Sequence, residues 1–82
     1  MKKEISLKCP WLVVEGGTAE VLSWLIEKGQ RVEIDQDIML MLLVNGEEFR
    51  LPAPVDGIII SLEVEPGDII EPDQVIAIIE TI

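Results

Sequence analysis

The stretch that decides the fold is Leu42-Leu43-Val44-Asn45-Gly46-Glu47-Glu48-Phe49-Arg50-Leu51, followed by Pro52-Ala53-Pro54. Asn-Gly between two alternating apolar runs is a strong hairpin signal, because a type I′ turn needs positive φ at both central residues and these two types tolerate it best. A two-residue loop at Asn45-Gly46 pairs Leu43 with Glu48, Leu42 with Phe49, Met41 with Arg50 and Leu40 with Leu51. Side chains alternate across a strand. This register therefore predicts Leu40, Leu42, Phe49 and Leu51 on the core face, and Met41, Leu43, Glu48 and Arg50 on the opposite one.

Composition narrows what such a chain can do. Eighty-two residues predict one small domain spanning 1–82, with a single core and little burial to spare. A hydrophobic content of 49% argues against disorder, and no apolar run approaches the roughly 20 residues of a membrane-spanning helix. Membrane insertion is not expected. Sixteen acidic residues against six basic ones give a formal charge of −10, which repels phosphate backbones, so nucleic acid is not an expected partner. Met1-Lys2-Lys3 runs straight into an alternating pattern without the apolar stretch of a secretory signal, and the cytoplasm is the expected location.

Histidine is absent and Cys9 is the single cysteine. No nitrogen or sulfur metal site and no imidazole catalyst is expected. Cys9 follows the apolar phase of Ile5 and Leu7 and reads as a small buried hydrophobe. Phosphate loops, nucleophile–base pairs and dinucleotide fingerprints are missing. The abundant carboxylates fall in turns and on outward strand phases, whereas acid–base chemistry needs a cleft that separates their pKa values. The chain is not expected to be an enzyme.

Residues 4–9 alternate as a half-buried strand that Pro10 ends. Residues 11–14 then lead into the loop Glu15-Gly16-Gly17-Thr18, and strands are predicted over Val21–Ile26, Arg31–Ile34 and Ile38–Val44, with turns at Lys28-Gly29-Gln30 and Asp35-Gln36-Asp37. The second half repeats this unit at an offset of 38: Ser23, Glu27, Gly29, Glu33, Asp35, Gln36 and Ile38 recur as Ser61, Glu65, Gly67, Glu71, Asp73, Gln74 and Ile76. Two copies are too few for a solenoid. They predict an all-β, pseudo-twofold sandwich or flattened barrel. Because Ser61, Glu63 and Glu65 belong outside, Ile60, Leu62 and Val64 are expected inside, and by the offset Leu22, Trp24 and Ile26 as well. Trp24 reads as a packing residue.

The chain resembles the biotinyl/lipoyl attachment domain. The residues that carry the likeness are Lys8-Cys9-Pro10 with Leu12, the run Val21-Leu22-Ser23-Trp24-Leu25-Ile26-Glu27-Lys28-Gly29-Gln30-Arg31-Val32, and Asp37-Ile38. They continue through Pro52-Ala53-Pro54-Val55-Asp56-Gly57 and Val64-Glu65-Pro66-Gly67-Asp68-Ile69-Ile70. The likeness is closer to the lipoyl branch, since the Ala-Met-Lys-Met signature of the biotinyl branch is missing. It implies two pseudo-symmetric four-stranded antiparallel sheets, with a hairpin that presents Asp-Lys for amide attachment of the cofactor.

Counting back from Pro52-Ala53-Pro54, the Asp position is Asn45 and the Lys position is Gly46, so the attachment turn is degenerate. Neither lipoate nor biotin is expected to attach. A family scaffold with an empty attachment turn is expected to be a non-catalytic interaction module, with protein partners among the subunits of a 2-oxoacid or acetoin dehydrogenase, or of a biotin-carboxylase type assembly; a monomer or weak dimer is expected. The alternative is a structural adaptor of the barrel-sandwich hybrid type in a membrane-fusion or efflux system, although those usually lie within longer chains. Relatives commonly carry glutamates where Met41 and Leu43 stand. Together with Val21, Leu25 and Ile59, which share the outward phase, these two are expected to form an apolar interaction patch.

Overall fold

Short apolar runs broken by glycine and proline favour strands over helices, and eight strands form. The computed structural model describes residues 2–10 and 17–82. The expected lead-in over residues 11–14, with Leu12, and the Glu15-Gly16 part of the first loop lie outside the described residues. The strands are β1 (Glu4–Lys8), β2 (Ala19–Trp24), β3 (Arg31–Val32), β4 (Asp37–Leu43), β5 (Glu48–Pro52), β6 (Gly57–Leu62), β7 (Ile69–Ile70) and β8 (Val75–Thr81). They make two four-stranded sheets, β1-β8-β6-β3 and β5-β4-β2-β7, with antiparallel pairing throughout. The expected all-β, doubly four-stranded architecture is the observed one.

The sequence repeat becomes a structural twofold. Strands β2, β3 and β4 correspond to β6, β7 and β8 at the offset of 38, and an offset of 44 relates Leu7-Lys8-Cys9-Pro10 of the first sheet to Leu51-Pro52-Ala53-Pro54 of the second. The halves interlock. The short strand of each repeat completes the sheet of the other, and backbone bonds across the boundary come in matched pairs. Gly29 N–H donates to the Ile59 carbonyl at 2.7 Å and Gly67 N–H to the Val21 carbonyl at 2.7 Å, while Ala53 N–H reaches Gln36 at 2.8 Å and Cys9 N–H reaches Gln74 at 2.9 Å. Neither repeat closes its own backbone hydrogen bonding.

The same symmetry places one extra residue in each central strand. Register shifts fall between Val21 and Ser23 in β2 and between Ile59 and Ser61 in β6. A bulge inverts the inward phase along a strand. Ala19 and Val21 therefore point inward before the bulge, and Trp24 and Ile26 after it; Ile59 and then Leu62 and Val64 behave alike. The expectation for Trp24, Ile26, Leu62 and Val64 holds, whereas Leu22 and Ile60 occupy the bulges and are only half-buried. The core between the sheets contains Val21, Val32, Met41, Ile59, Ile70 and Ile79, and no polar side chain is buried among the described residues. Trp24 packs against this core and donates its indole N–H to the Val64 carbonyl at 2.9 Å, which satisfies its one polar atom.

Four tight turns share one construction. At Glu27-Gln30, Glu33-Gln36, Glu65-Asp68 and Glu71-Gln74 the fourth residue's N–H donates to the first carbonyl, and the fourth side chain accepts the first N–H. The third positions carry positive φ at Gly29, Asp35, Gly67 and Asp73, as type II turns require. Pro66 and Pro72 sit at the second position, where their fixed φ is already right. Lys28 occupies that position in the first turn. Lys28→Pro is expected to raise stability by about 0.4–1 kcal/mol through the unfolded chain; a higher midpoint in urea at unchanged slope is the result to look for. Ile34→Pro should not match it, because Ile34 N–H donates to Asp56 Oδ1 at 2.7 Å.

Candidate functional site

The β4–β5 hairpin has a three-residue loop instead of two. Gly46 N–H donates to the Leu43 carbonyl at 3.0 Å, and Leu43 N–H to the Glu47 carbonyl at 2.8 Å. Gly46 has φ +86, while Val44 and Asn45 keep negative φ, so a type I turn is closed by a glycine bulge. Asn45 Oδ1 accepts the Glu47 N–H at 2.9 Å. An Asx bond thus ties down the far side of the loop. Only one residue needs the left-handed region, and that removes the reason for a type I′ turn.

The extra loop residue moves the register by one. Leu42 pairs with Glu48, Met41 with Phe49, Leu40 with Arg50 and Met39 with Leu51. A one-residue slip exchanges the faces of a strand, and this corrects the expected patch. Met41, Val21 and Ile59 are fully buried, Leu43 is half-buried against the core, and of the five only Leu25 is exposed. The Met41, Leu43, Val21, Leu25 and Ile59 set is therefore not an interaction surface but largely core. Conversely Leu40 and Leu42, expected inside, lie half-buried on the outer face.

At the tip, Val44, Asn45 and Gly46 are all exposed. A Cβ built on Gly46 meets nothing within 4 Å, so the position has room for a side chain and lacks one. Amide attachment of a carboxylic cofactor needs an amine, and the loop offers only backbone and a carboxamide. The residues do not fit an attached lipoyl or biotinyl group. Lysines lie elsewhere: Ala19 is at the tip end of β2, across from Leu43, and Lys28 follows its far end beyond Trp24. Lys2 pairs with Glu80 at 3.8 Å, and Lys8 is in the edge strand β1.

Beside the tip a shallow hollow of ≈ 170 Å³ is lined by Thr18, Ala19, Glu20, Leu42, Leu43, Val44 and Ile69. Sequence reasoning missed it. Ile69 belongs to the second repeat and reaches β2 only through the strand exchange, and the two-residue loop had placed Leu42 inside. Among the described residues no group of carboxylates or thiols is placed to hold a metal ion. Burial pushes the Cys9 thiol above its usual range, with Asp73 adding to the shift. A buried, protonated thiol is a poor nucleophile. No helix among the described residues is long and apolar enough to cross a membrane.

Two interlocked four-stranded sheets with an exposed β4–β5 hairpin define a lipoyl-type sandwich. The family model described as "Biotin-requiring enzyme", the biotinyl/lipoyl family, matches residues 6–79, and the chain belongs to that family. Among solved structures it is similar to the lipoyl domain of the 2-oxoglutarate dehydrogenase complex from Azotobacter vinelandii. The two are 20% identical with a TM-score of 0.73, over 92% of this chain and 94% of that one. At that identity the likeness speaks for the fold. No curated protein matches the chain. Domains of this family are carriers rather than catalysts.

Proposed function

We propose that this chain is an unmodified member of the lipoyl branch, a non-catalytic module that binds protein partners within a 2-oxoacid or acetoin dehydrogenase, or a carboxylase-type assembly, without carrying an acyl or carboxyl group. The observation that carries this reading is the tip: Gly46 stands where the resemblance places the attachment lysine, in an exposed loop that has no amine. The scaffold around that loop supports a retained role in recognition, since the sheets, the hairpin and the interlocking turns are complete.

Incubation with lipoate–protein ligase and, separately, biotin ligase tests the reading by intact mass. No mass gain is expected, and a gain mapped to any residue overturns it. The double substitution Asn45→Asp with Gly46→Lys is expected to create an acceptor, because the added side chain meets no neighbour. It should cost about 1 kcal/mol for a Cβ held at positive φ. A folded double variant that stays unmodified would show that the loop is not presented as the ligases require.

A further inference from the structure

The pseudo-twofold supplies an internal control for the sheet faces. On the outer face of the second sheet one row crosses all four strands: Ile69, Glu20, Leu42 and Glu48. Its symmetry mate on the first sheet is Arg31, Ile58, Glu80 and Glu4. In the mate row Arg31 and the Lys2–Glu80 pair at 3.8 Å balance the two carboxylates. The row at the hairpin has Ile69 where its mate has arginine. Its two carboxylates face no cation in the row, and among the described residues Arg50, in the adjacent row of that face, pairs with Asp37 at 3.7 Å.

The hollow of ≈ 170 Å³ lies on this uncompensated row. Ile69 is 58% exposed and Val44 76%, which is costly for large aliphatic side chains left to water. Glu20 and Glu48 alternate with Ile69 and Leu42 across the row, and Glu47 is exposed beside them. The two repeats share a backbone and each leaves two aliphatics exposed, Ile69 and Val44 here against Ile58 and Ile82 on the mate, so what separates the two faces is charge.

We propose that this face, made by Leu42, Val44 and Ile69 and edged by Glu20, Glu47 and Glu48, docks a basic protein segment that seats an aliphatic side chain in the hollow between flanking lysines or arginines. Charge complementarity selects the occupant. A second copy would have to bring the same carboxylates against themselves in an isologous contact, between chains that each carry −10, so self-association is disfavoured. Carboxylates at the edge steer a cationic partner, and the apolar centre holds it. The proposal rests on the reading of the chain as an interaction module. The ligase assay tests the unmodified tip, and the titration below tests only the surface, so the two can fail separately.

The experiment titrates the ¹⁵N-labelled chain at low salt with three capped pentapeptides: Lys-Leu-Lys-Leu-Lys, Lys-Ser-Lys-Ser-Lys and Glu-Leu-Glu-Leu-Glu. The first is expected to shift the amides of Thr18, Glu20, Leu42, Val44 and Ile69, and the response should weaken with added salt. The paired substitution Val44→Ser with Ile69→Ser, both at exposed positions, is expected to weaken binding about tenfold, as loss of a contact's apolar centre does. Glu20→Gln with Glu48→Gln should reduce the response without moving it. The proposal is overturned if the serine peptide or the glutamate peptide binds as well as the first, if the shifts fall around Ile58 on the opposite face, or if no peptide binds. It is equally overturned if the same amides shift with protein concentration alone, which would assign the surface to a second copy.

Discussion

Met41→Glu is expected to leave the protein unfolded or nearly so at neutral pH, whereas Leu40→Glu on the neighbouring position should cost about 1 kcal/mol or less. Met41 is fully buried between Val21 and Phe49, and no polar side chain is buried among the described residues to receive a carboxylate. An uncompensated buried charge costs roughly 3–5 kcal/mol, a large share of the about 5–15 kcal/mol by which a domain is stable. Leu40 lies half-buried on the outer face across from Ser23 and Arg50, where a carboxylate stays hydrated beside a guanidinium. A two-residue loop would reverse this order. Urea denaturation of the two variants measures it, and a Met41→Glu protein as stable as Leu40→Glu would refute the observed register.

The pH dependence of that variant has a definite sign. Burial raises the introduced carboxyl above its unfolded value of about 4.3, so the native state binds the extra proton. Stability must then fall as pH rises from the unfolded value toward the raised one, and recover on acidification. Circular dichroism at pH 4 and pH 7 is expected to show more folded protein at the lower value.

Gly57→Ala is expected to cost about 2–3 kcal/mol, near the upper end for overpacking a core, and Gly57→Val to prevent folding. A Cβ on Gly57 would collide with the Glu80 carbonyl oxygen and lie 2.7 Å from Ile79 Cγ2. Both obstacles belong to β8, a central strand held by β1 on one side and β6 on the other, so the clash is not relieved by turning a side chain. Gly29→Ala is the control. Gly29 has φ +88 and nothing within 4 Å of a built Cβ, so only backbone strain of about 1 kcal/mol applies. Thermal midpoints ranking Gly57→Ala no lower than Gly29→Ala would mean that β6 and β8 do not approach this closely.

Much of the architecture was legible because it follows from local chemistry. Pro66-Gly67, Gly29 and the paired Glu-to-Gln spacings specify turns by φ and by side-chain bonds two or three residues away. The 38-residue repeat carried that pattern into a twofold. The inward placement of Trp24, Ile26, Leu62 and Val64, and the burial of Cys9, were read correctly for the same reason: apolar alternation at and just beyond a strand end reports its inward face, although β2 and β6 themselves stop at Trp24 and Leu62. What failed was parity. Val21 and Ile59 were placed outside and Met41 with them, because two bulges and one extra loop residue each invert a strand's faces. A bulge leaves no residue-type signature at Leu22 or Ile60, since either hydrophobe suits either face of a half-buried strand.

The candidate site divides along the same line. That the tip has no amine is a property of composition: Asn45 and Gly46 have no amine in any conformation. The tertiary structure alone decided which apolar residues are available to a partner. Leu42 and Val44 come from one repeat and Ile69 from the other, and their nearness depends on an exchanged strand whose hydrogen bonds to β2 span more than half the chain. Identity of a side chain is local information, whereas exposure is a difference between what two distant segments cover and what they leave open.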